Sequence, residues 1–545
     1  MSTTPQSPIS HAPDSAPNGA LTHRQILAVL SGLMLGMLLA ALDQTIVATA
    51  LPTIVGNLGG LNHLSWVVTA YLLTSTAVTP LYGKLSDLYG RKALFQFAIA
   101  VFLIGSALAG LSQNMAELIA FRALQGVGGG GIFAMVFSII GDIVPPRQRG
   151  KYQGYMGAVF ASASVLGPLA GGFLTDQISW RWIFYVNLPI GIFALVVTAV
   201  VLKLPVNRLK HRIDFLGSAL VSAAVTTVLL VTVWGGQTYA WGSPTIVSLE
   251  VASVLLVGGF IWREFKAPEP ILPLRLFREQ VFSVSSGIGF ISGFSLFGAV
   301  IFLPEYMQMA RGVSATRSGL MLVPLTLGIV FGSVGSGQVI TRVGKYKIFP
   351  IIGSAMLVIG FFLLSLFKAN TPYPIEGIYM MVTGVGLGFT MQVIVLATQN
   401  AVDFGDLGTA TSAVTFFRTM GGAIGTSFFG NILINRLVHN MAVLLPNSTA
   451  ASKGATASML SGTPAQLDRL PHPIHAAIVE AFVRSLHVVF LWAIPFAVVA
   501  FALALLLPER PLRRTSGNTQ RAASDALREG ESLEPELSSP LFNVD

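Results

Sequence analysis

The sequence contains no cysteine. That excludes disulfide scaffolds, thiolate metal sites, iron–sulfur clusters and cysteine nucleophiles together. Charge is also scarce: Asp, Glu, Lys and Arg make up 10% of the 545 residues, against about 25% in soluble domains. Hydrophobic residues make up 53%, and mean hydropathy is +0.70. A soluble chain this apolar has too few polar groups to cover its surface. The composition therefore excludes an ordinary cytosolic enzyme and points to a protein embedded in lipid. A Walker A lysine motif is missing, which argues against ATP hydrolysis as an energy source. The net charge of +9 comes without a basic patch interleaved with aromatics, so no nucleic-acid partner is expected.

What remains is a series of long apolar runs. A helix that crosses the bilayer needs about 20 mostly apolar residues. Fourteen such runs can be read, from 26–51 at one end to 485–507 at the other. An even number puts both termini on one side. Twenty-one of the 33 Lys and Arg residues fall on that side, in turns such as Lys84/Arg91/Lys92, Arg147/Arg149/Lys151 and Arg342/Lys345/Lys347. Eight fall opposite. The excess predicts a multi-pass protein of the cytoplasmic membrane with both termini cytoplasmic. The first run is too long for a signal peptide and contains Asp43. Residues 1–23 and 509–545 read as disordered tails.

Glycines recur at nearly constant offsets. Gly83 and Gly90-Arg91 between runs 2 and 3 match Gly337 and Gly344-Lys345 between runs 10 and 11, 254 residues later. The same offset carries Gly167 to Gly421 and Gly171 to Gly425. Gly126 and Gly128 match Gly384 and Gly386 at an offset of 258. Several matches argue for a duplicated six-helix unit. The halves are expected at 24–205 and 281–508, the second with an external loop at about 436–484. Runs 7 and 8 (206–280) are inserted as a linker, expected to tether the halves without carrying a coupling proton. Two facing halves place a substrate near the midplane of their interface.

Five groups of residues carry candidate chemistry. Asp43 is an acid inside the first run, where an ionised carboxylate is expensive in lipid and usually functional. Arg122 in run 4 lies at a similar depth, which permits pairing; a purely structural ion pair is the alternative. The stretch Gly83 to Lys92 reads as a tight turn, with Asp87, Arg91 and Lys92 crowded beside helix ends. Gly167-Pro168 with Gly171-Gly172 is expected to kink run 5 and allow close packing. Arg418, near mid-membrane in run 13, must meet a carboxylate, a carbonyl or water, in a structural, substrate or coupling role. Glu305, at the outer end of run 9, is either an attractor of cations or a wetted helix terminus.

Taken together, these motifs resemble the major facilitator superfamily, and within it the fourteen-helix drug:proton antiporters. The stretch Gly83-x-x-x-Asp87-x-x-Gly90-Arg91-Lys92 matches the family's loop signature. Leu42-Asp43-Gln-Thr45 through Leu51-Pro52 resembles its helix 1 motif, and Arg122-Ala-Leu-Gln125-Gly126-Val-Gly128 its helix 4 motif. Gly167-Pro168-Leu-Ala-Gly171-Gly172 resembles the antiporter motif, and Trp180 to Pro189 the following junction. The resemblance spans residues 24–508. Two departures stand out: Ala48 where Asn is common, and Thr341 in the second loop where Asp87 stands in the first. The second loop is therefore not expected to lock in the same way.

The resemblance implies an all-α polytopic protein with the major facilitator fold, two six-helix bundles plus two inserted helices. It implies a secondary transporter, not an enzyme, without cofactors and powered by a proton gradient. The implied partners are protons, a small-molecule substrate and the lipid bilayer, with function as a monomer. Asp43 and Arg122 would couple protons, and Gly83 to Lys92 would gate the cytoplasmic side. Gly167, Pro168, Gly171 and Gly172 would close one face against leak. Arg418, Glu305 and Gln125 are further substrate or coupling candidates. The implied activity is export of hydrophobic, often cationic, drugs or toxic compounds. A dedicated exporter of an endogenous metabolite, lipid, siderophore or antibiotic would share these features, and a non-transporting receptor fits them least.

Three motifs mislead. Gly126-x-Gly128-x-x-Gly131 matches a dinucleotide fingerprint but lies inside an apolar run with no preceding strand. His472 and His475 lack a third metal ligand. Asn447 begins a glycosylation sequon, meaningful only in a secretory-pathway host.

Overall fold

The computed structural model describes residues 23–58, 64–202, 214–236, 238–295, 302–444 and 472–513, so Asn447 and most of both tails lie outside it. Among these residues the regular elements are helices: α1 (His23–Leu58), α2 (Leu64–Tyr89), α3 (Arg91–Leu111), α4 (Met115–Ile143), α5 (Pro146–Gln177), α6 (Trp182–Tyr185), α7 (Asn187–Val201), α8 (Phe215–Trp234), α9 (Pro244–Lys266), α10 (Gln280–Ser295), α11 (Leu303–Arg311), α12 (Ala315–Met321), α13 (Val323–Val343), α14 (Ile348–Ser365), α15 (Tyr373–Ala401), α16 (Leu407–Leu444) and α17 (His472–Leu506). Among the described residues, eleven stretches are long and apolar enough to cross a membrane. Large apolar side chains such as Phe97, Phe193 and Phe265 stand exposed on their outer faces, as lipid contact requires.

Three expected runs differ from those eleven. Runs 2 and 13 coincide with α2 and α16, whose Ser, Thr and Gly residues dilute their hydropathy. Run 9 is not one described helix: α10 ends at Ser295, and α11 begins at Leu303. Two helices also outrun the apolar segments. α16 continues to Leu444 and α17 starts at His472, so both helices extend into the stretch expected as an external loop at about 436–484. The extensions hold each other: Asn440 Nδ2 donates to Ser485 Oγ at 2.9 Å.

The glycine offsets correspond to matched helix contacts. Gly126 of α4 lies against Tyr71 and Thr74 of α2, and Gly128 against Ala98 and Phe102 of α3. Gly384 of α15 lies against Leu325 and Gly328 of α13, and Gly386 against Gly353 and Leu357 of α14. Gly167 of α5 meets Thr45 of α1, while Gly421 of α16 meets Phe290 of α10. Helices α1 to α5 therefore map in order onto α10, α13, α14, α15 and α16. At these points a neighbouring helix occupies the space of a Cβ, and small residues let the backbones approach.

The same mapping relates contacts across the interface of the two sets. Gly83 of α2 faces Gly408 and Ser412 of α16, and its counterpart Gly337 of α13 faces Gly150 of α5. Gly83 is thus not part of a turn, as the sequence suggests. α2 runs through it to Tyr89, and only Gly90, at φ 92°, breaks the chain. Gly344 repeats this at φ 77°, a conformation that glycine alone adopts without strain.

These glycines mark the end of the bundle where most Lys and Arg lie, here called the basic end. Several segments cross it. After α9, Glu269 pairs with Lys84 at 3.5 Å, and Arg275 forms two bonds to Asp406 at 2.6 and 2.8 Å. After α17, Glu509 accepts from the N–H groups of Tyr346 and Lys347 at 3.0 Å each. The Tyr346 hydroxyl donates to the Pro508 carbonyl at 2.9 Å, and burial pushes this phenol up to about 12. The inserted pair α8 and α9 pack on each other, and α8 also packs on α2 and α16, at the seam between the two sets.

Candidate functional site

Asp43 lies midway along α1 and is fully buried. Its Oδ2 accepts from Arg122 Nη1 of α4 at 2.6 Å. Its Oδ1 accepts from Gln125 Nε2 at 2.8 Å and from Asn187 Nδ2 of α7 at 3.0 Å. Arg122 and Gln125 share a helix face because they stand three residues apart, and Arg122 Nη1 also donates to Gln125 Oε1 at 2.7 Å. The guanidinium is held further by the Val67 carbonyl at 3.1 Å and by the Tyr71 ring, 4.5 Å from its centroid. Ser106 of α3 closes the network, accepting from Gln125 and Asn187 and donating to the Phe184 carbonyl at 2.9 Å.

Three helices, α1, α4 and α7, therefore meet on one carboxylate, and α3 joins them through Ser106. Buried charge in low dielectric is tolerable only when paired and hydrogen-bonded, and both Asp43 oxygens are satisfied. A proton on this carboxylate would remove the counter-charge of Arg122 and turn one acceptor into a donor. The donors around it could then no longer all be satisfied by this carboxylate. Asn187, Ser106 and Tyr71 have no role in the sequence reading. Asn187 stands inside the quoted junction motif, but nothing local shows that it reaches α1.

The loop-signature residues take separate places. Arg91 is buried and donates through Nε to Asp142 Oδ2 of α4 at 2.8 Å and through Nη1 to Ser86 Oγ. Lys92 Nζ donates to the Ala199 carbonyl of α7 at 2.6 Å. The Asp87 side chain lies outside the described residues. Arg149, read from sequence only as a topological charge, is buried at the interface of the two sets. It donates to the Val144 carbonyl at 2.7 Å, to the Gly141 carbonyl, and across to the Gln399 carbonyl of α15 at 3.4 Å. Gln399 Nε2 in turn donates to the Phe137 carbonyl at 2.9 Å and to Thr411 Oγ1 at 3.2 Å, while its Oε1 accepts from Gln153 Nε2 at 3.2 Å. This polar plug joins α4 and α5 to α15 and α16 and closes the basic end.

Gly167 and Pro168 lie towards the opposite end. Thr45 packs on Gly167 and donates to the Ala163 carbonyl at 2.9 Å. Pro168 and Gly172 face Gly319 and Thr316 of α12, Gly171 is buried, and α5 stays helical through Pro168. The seam between α5 and α12–α13 is thus packed at both ends. Glu305 is half-buried in the first turn of α11. Arg418 is buried in α16, with its guanidinium carbon 5.9 Å from the Phe137 ring centroid. Gln125 joins the Asp43 network, while neither Glu305 nor Arg418 does.

The family model described as Major Facilitator Superfamily matches residues 33–426. Multidrug transporter protein MdtP of Bacillus subtilis is 36% identical over 527 residues, covering 92% of this chain and 97% of that protein. Multidrug resistance protein 3 of Bacillus subtilis is 35% identical, covering 91% and 97%. An uncharacterized MFS-type transporter of Mycobacterium tuberculosis is 43% identical over 507 residues, covering 92% of this chain and 73% of that one. Among solved structures, the proton:xylose symporter XylE aligns with a TM-score of 0.59 at 14% identity, covering 92% and 100%. The human organic anion transporter MFSD10 aligns at 0.57 and 15%, covering 86% and 99%. At such identities the structural likeness concerns the fold.

Proposed function

The chain belongs to the major facilitator superfamily, and from that premise we propose that it is a proton-coupled efflux antiporter of the cytoplasmic membrane, with both termini cytoplasmic. It exports hydrophobic compounds by alternating access between its two six-helix halves. The efflux direction rests on the relatives named for multidrug transport and on the Gly167–Gly172 motif.

The observation that supports proton coupling is the Asp43 site. A carboxylate with no exposed surface, held by Arg122, Gln125 and Asn187 from two other helices, has two distinct protonation states with different hydrogen-bond needs. Entry of a proton from the outer side would free Arg122, and its loss to the cytoplasm would re-form the pair. With the basic end cytoplasmic, the Arg149–Gln399 plug is the cytoplasmic gate, closed in this conformation.

Transport into inverted membrane vesicles across a compound panel, with an imposed pH gradient, tests the reading. Accumulation of at least one compound with the lumen acid, lost on addition of a protonophore, is expected. Uptake that persists unchanged after the gradient is collapsed overturns proton coupling.

A further inference from the structure

The other buried arginines among the described residues come with partners. Arg122 has Asp43 and Arg91 has Asp142; even the half-buried Arg311 is paired, with Glu376. Among the described residues Arg149 has no carboxylate in bonding distance, but it donates to three carbonyls. Arg418 differs. It is more than nine-tenths buried, yet among the described residues it makes no hydrogen bond and no ion pair; its recorded neighbour is the Phe137 ring. A ring at that range offers a cation only weak attraction, far less than the desolvation of a guanidinium costs.

Its position is informative. Arg418 stands eleven residues from the start of α16, about 16 Å along the axis at 1.5 Å per residue. That is near the middle of a hydrocarbon core about 30 Å thick. Side chains on a helix lean towards its N-terminus, so the guanidinium leans towards the basic end, across the interface onto α4. Directly below lies the plug, where Gln399 binds the Phe137 carbonyl and Thr411. The cation therefore sits just above the closed gate, between the halves, at the depth where the two-half architecture places substrate.

We propose that Arg418 is a substrate-anchoring residue whose missing partner is an anionic group, a carboxylate or similar oxyanion, on the exported molecule. A planar guanidinium pairs bidentately with such groups. A lipid headgroup cannot supply the anion at this depth. An amphipathic acid is thereby preferred over a permanent cation, which would meet an uncompensated like charge. This deepens the efflux reading and rests on it.

The test uses the purified full-length protein in detergent and two fluorescent probes of one skeleton, 1-pyrenebutyrate and its trimethylammonium counterpart. The wild type is expected to bind the carboxylate at least about tenfold more tightly than the ammonium. Arg418→Gln should weaken the carboxylate by about tenfold or more while leaving the ammonium unchanged or tighter. Arg418→Lys, which keeps the charge but loses the fork, should fall between and covers the case in which the glutamine variant fails to fold. A wild type that prefers the ammonium or shows no preference overturns the assignment. So does an Arg418→Gln variant, or an Arg418→Lys variant if only that one folds, whose affinities for both probes stay as in the wild type or fall equally. Binding needs neither gradient nor turnover, so its failure is separable from a failure of the efflux reading in vesicles.

Discussion

At the scale of residues, the Asp43 network separates coupling from stability. Replacing Asp43 by Asn removes the carboxylate and leaves Arg122 buried beside neutral groups. Breaking one member of a buried pair costs about 3–5 kcal/mol, so Asp43→Asn and Arg122→Gln should each lower the thermal midpoint of the purified protein. The double variant removes both charges and should recover most of that loss. Coupling should not recover: both Asp43 variants are expected to lose gradient-driven export at equal membrane abundance. A double variant that regains stability and proton-driven export together would show that the pair is only structural. The acid and base of this site were legible in the sequence, because two charges in apolar runs at one depth stand out against their surroundings. Gln125 was legible only as part of the helix 4 motif that the chain shares with the family it resembles. Asn187 and Ser106 were not legible. They are neutral, they come from other helices, and only tertiary packing brings Asn187 Nδ2 to 3.0 Å from Asp43 Oδ1 and 2.9 Å from Ser106 Oγ. Arg91 was legible as part of a motif, but its partner Asp142 lies 51 residues away on the next helix.

At the scale of elements, glycine placement sets how closely helices approach. A Cβ on Gly128 would fall on the backbone of Ala98 and Phe102, so Gly128→Val must push α3 away from α4. Overpacking of this kind costs about 1–3 kcal/mol. Gly258 on α9 has nothing within 4 Å of the same position, so Gly258→Ala should be neutral or slightly stabilising, since alanine is the better helix former. Thermal midpoints of the two purified variants check the contrast, and equal shifts would contradict it. Helix order was readable from apolar runs, eleven of which recur as stretches long enough to span among the described residues, because lipid demands about 20 apolar residues per crossing. Helix ends were not. α16 and α17 run on where they pair with each other rather than with lipid, and hydropathy is blind to such pairing. The Gly83 stretch shows the reverse error. Two glycines suggested one turn, whereas the first serves packing and the second the turn, and composition cannot tell these uses apart.

At the scale of the whole molecule, the mapping of α1–α5 onto α10 and α13–α16 makes the two seams, α2–α16 and α5–α13, equivalent contacts. Both are closed at the basic end, through Gly83 with Ser412 and Gly150 with Gly337, and the plug of Arg149, Gln153 and Gln399 lies between them. If the halves rock against each other, these contacts must part in every cycle, and the crossing linker must yield with them. The chain has no cysteine, so a pair introduced across the plug can be cross-linked without side reactions at other thiols. Gln153 and Gln399 touch side chain to side chain from opposite halves, which makes Gln153→Cys with Gln399→Cys the informative pair. Oxidation should trap the closed base and abolish net export in vesicles, and reduction should restore it. Each single variant, treated identically, should be unaffected by oxidation. Continued export by the oxidised double variant, with the cross-link verified by mass spectrometry, would mean that the basic end does not open at this point. The route between the halves would then have to lie elsewhere.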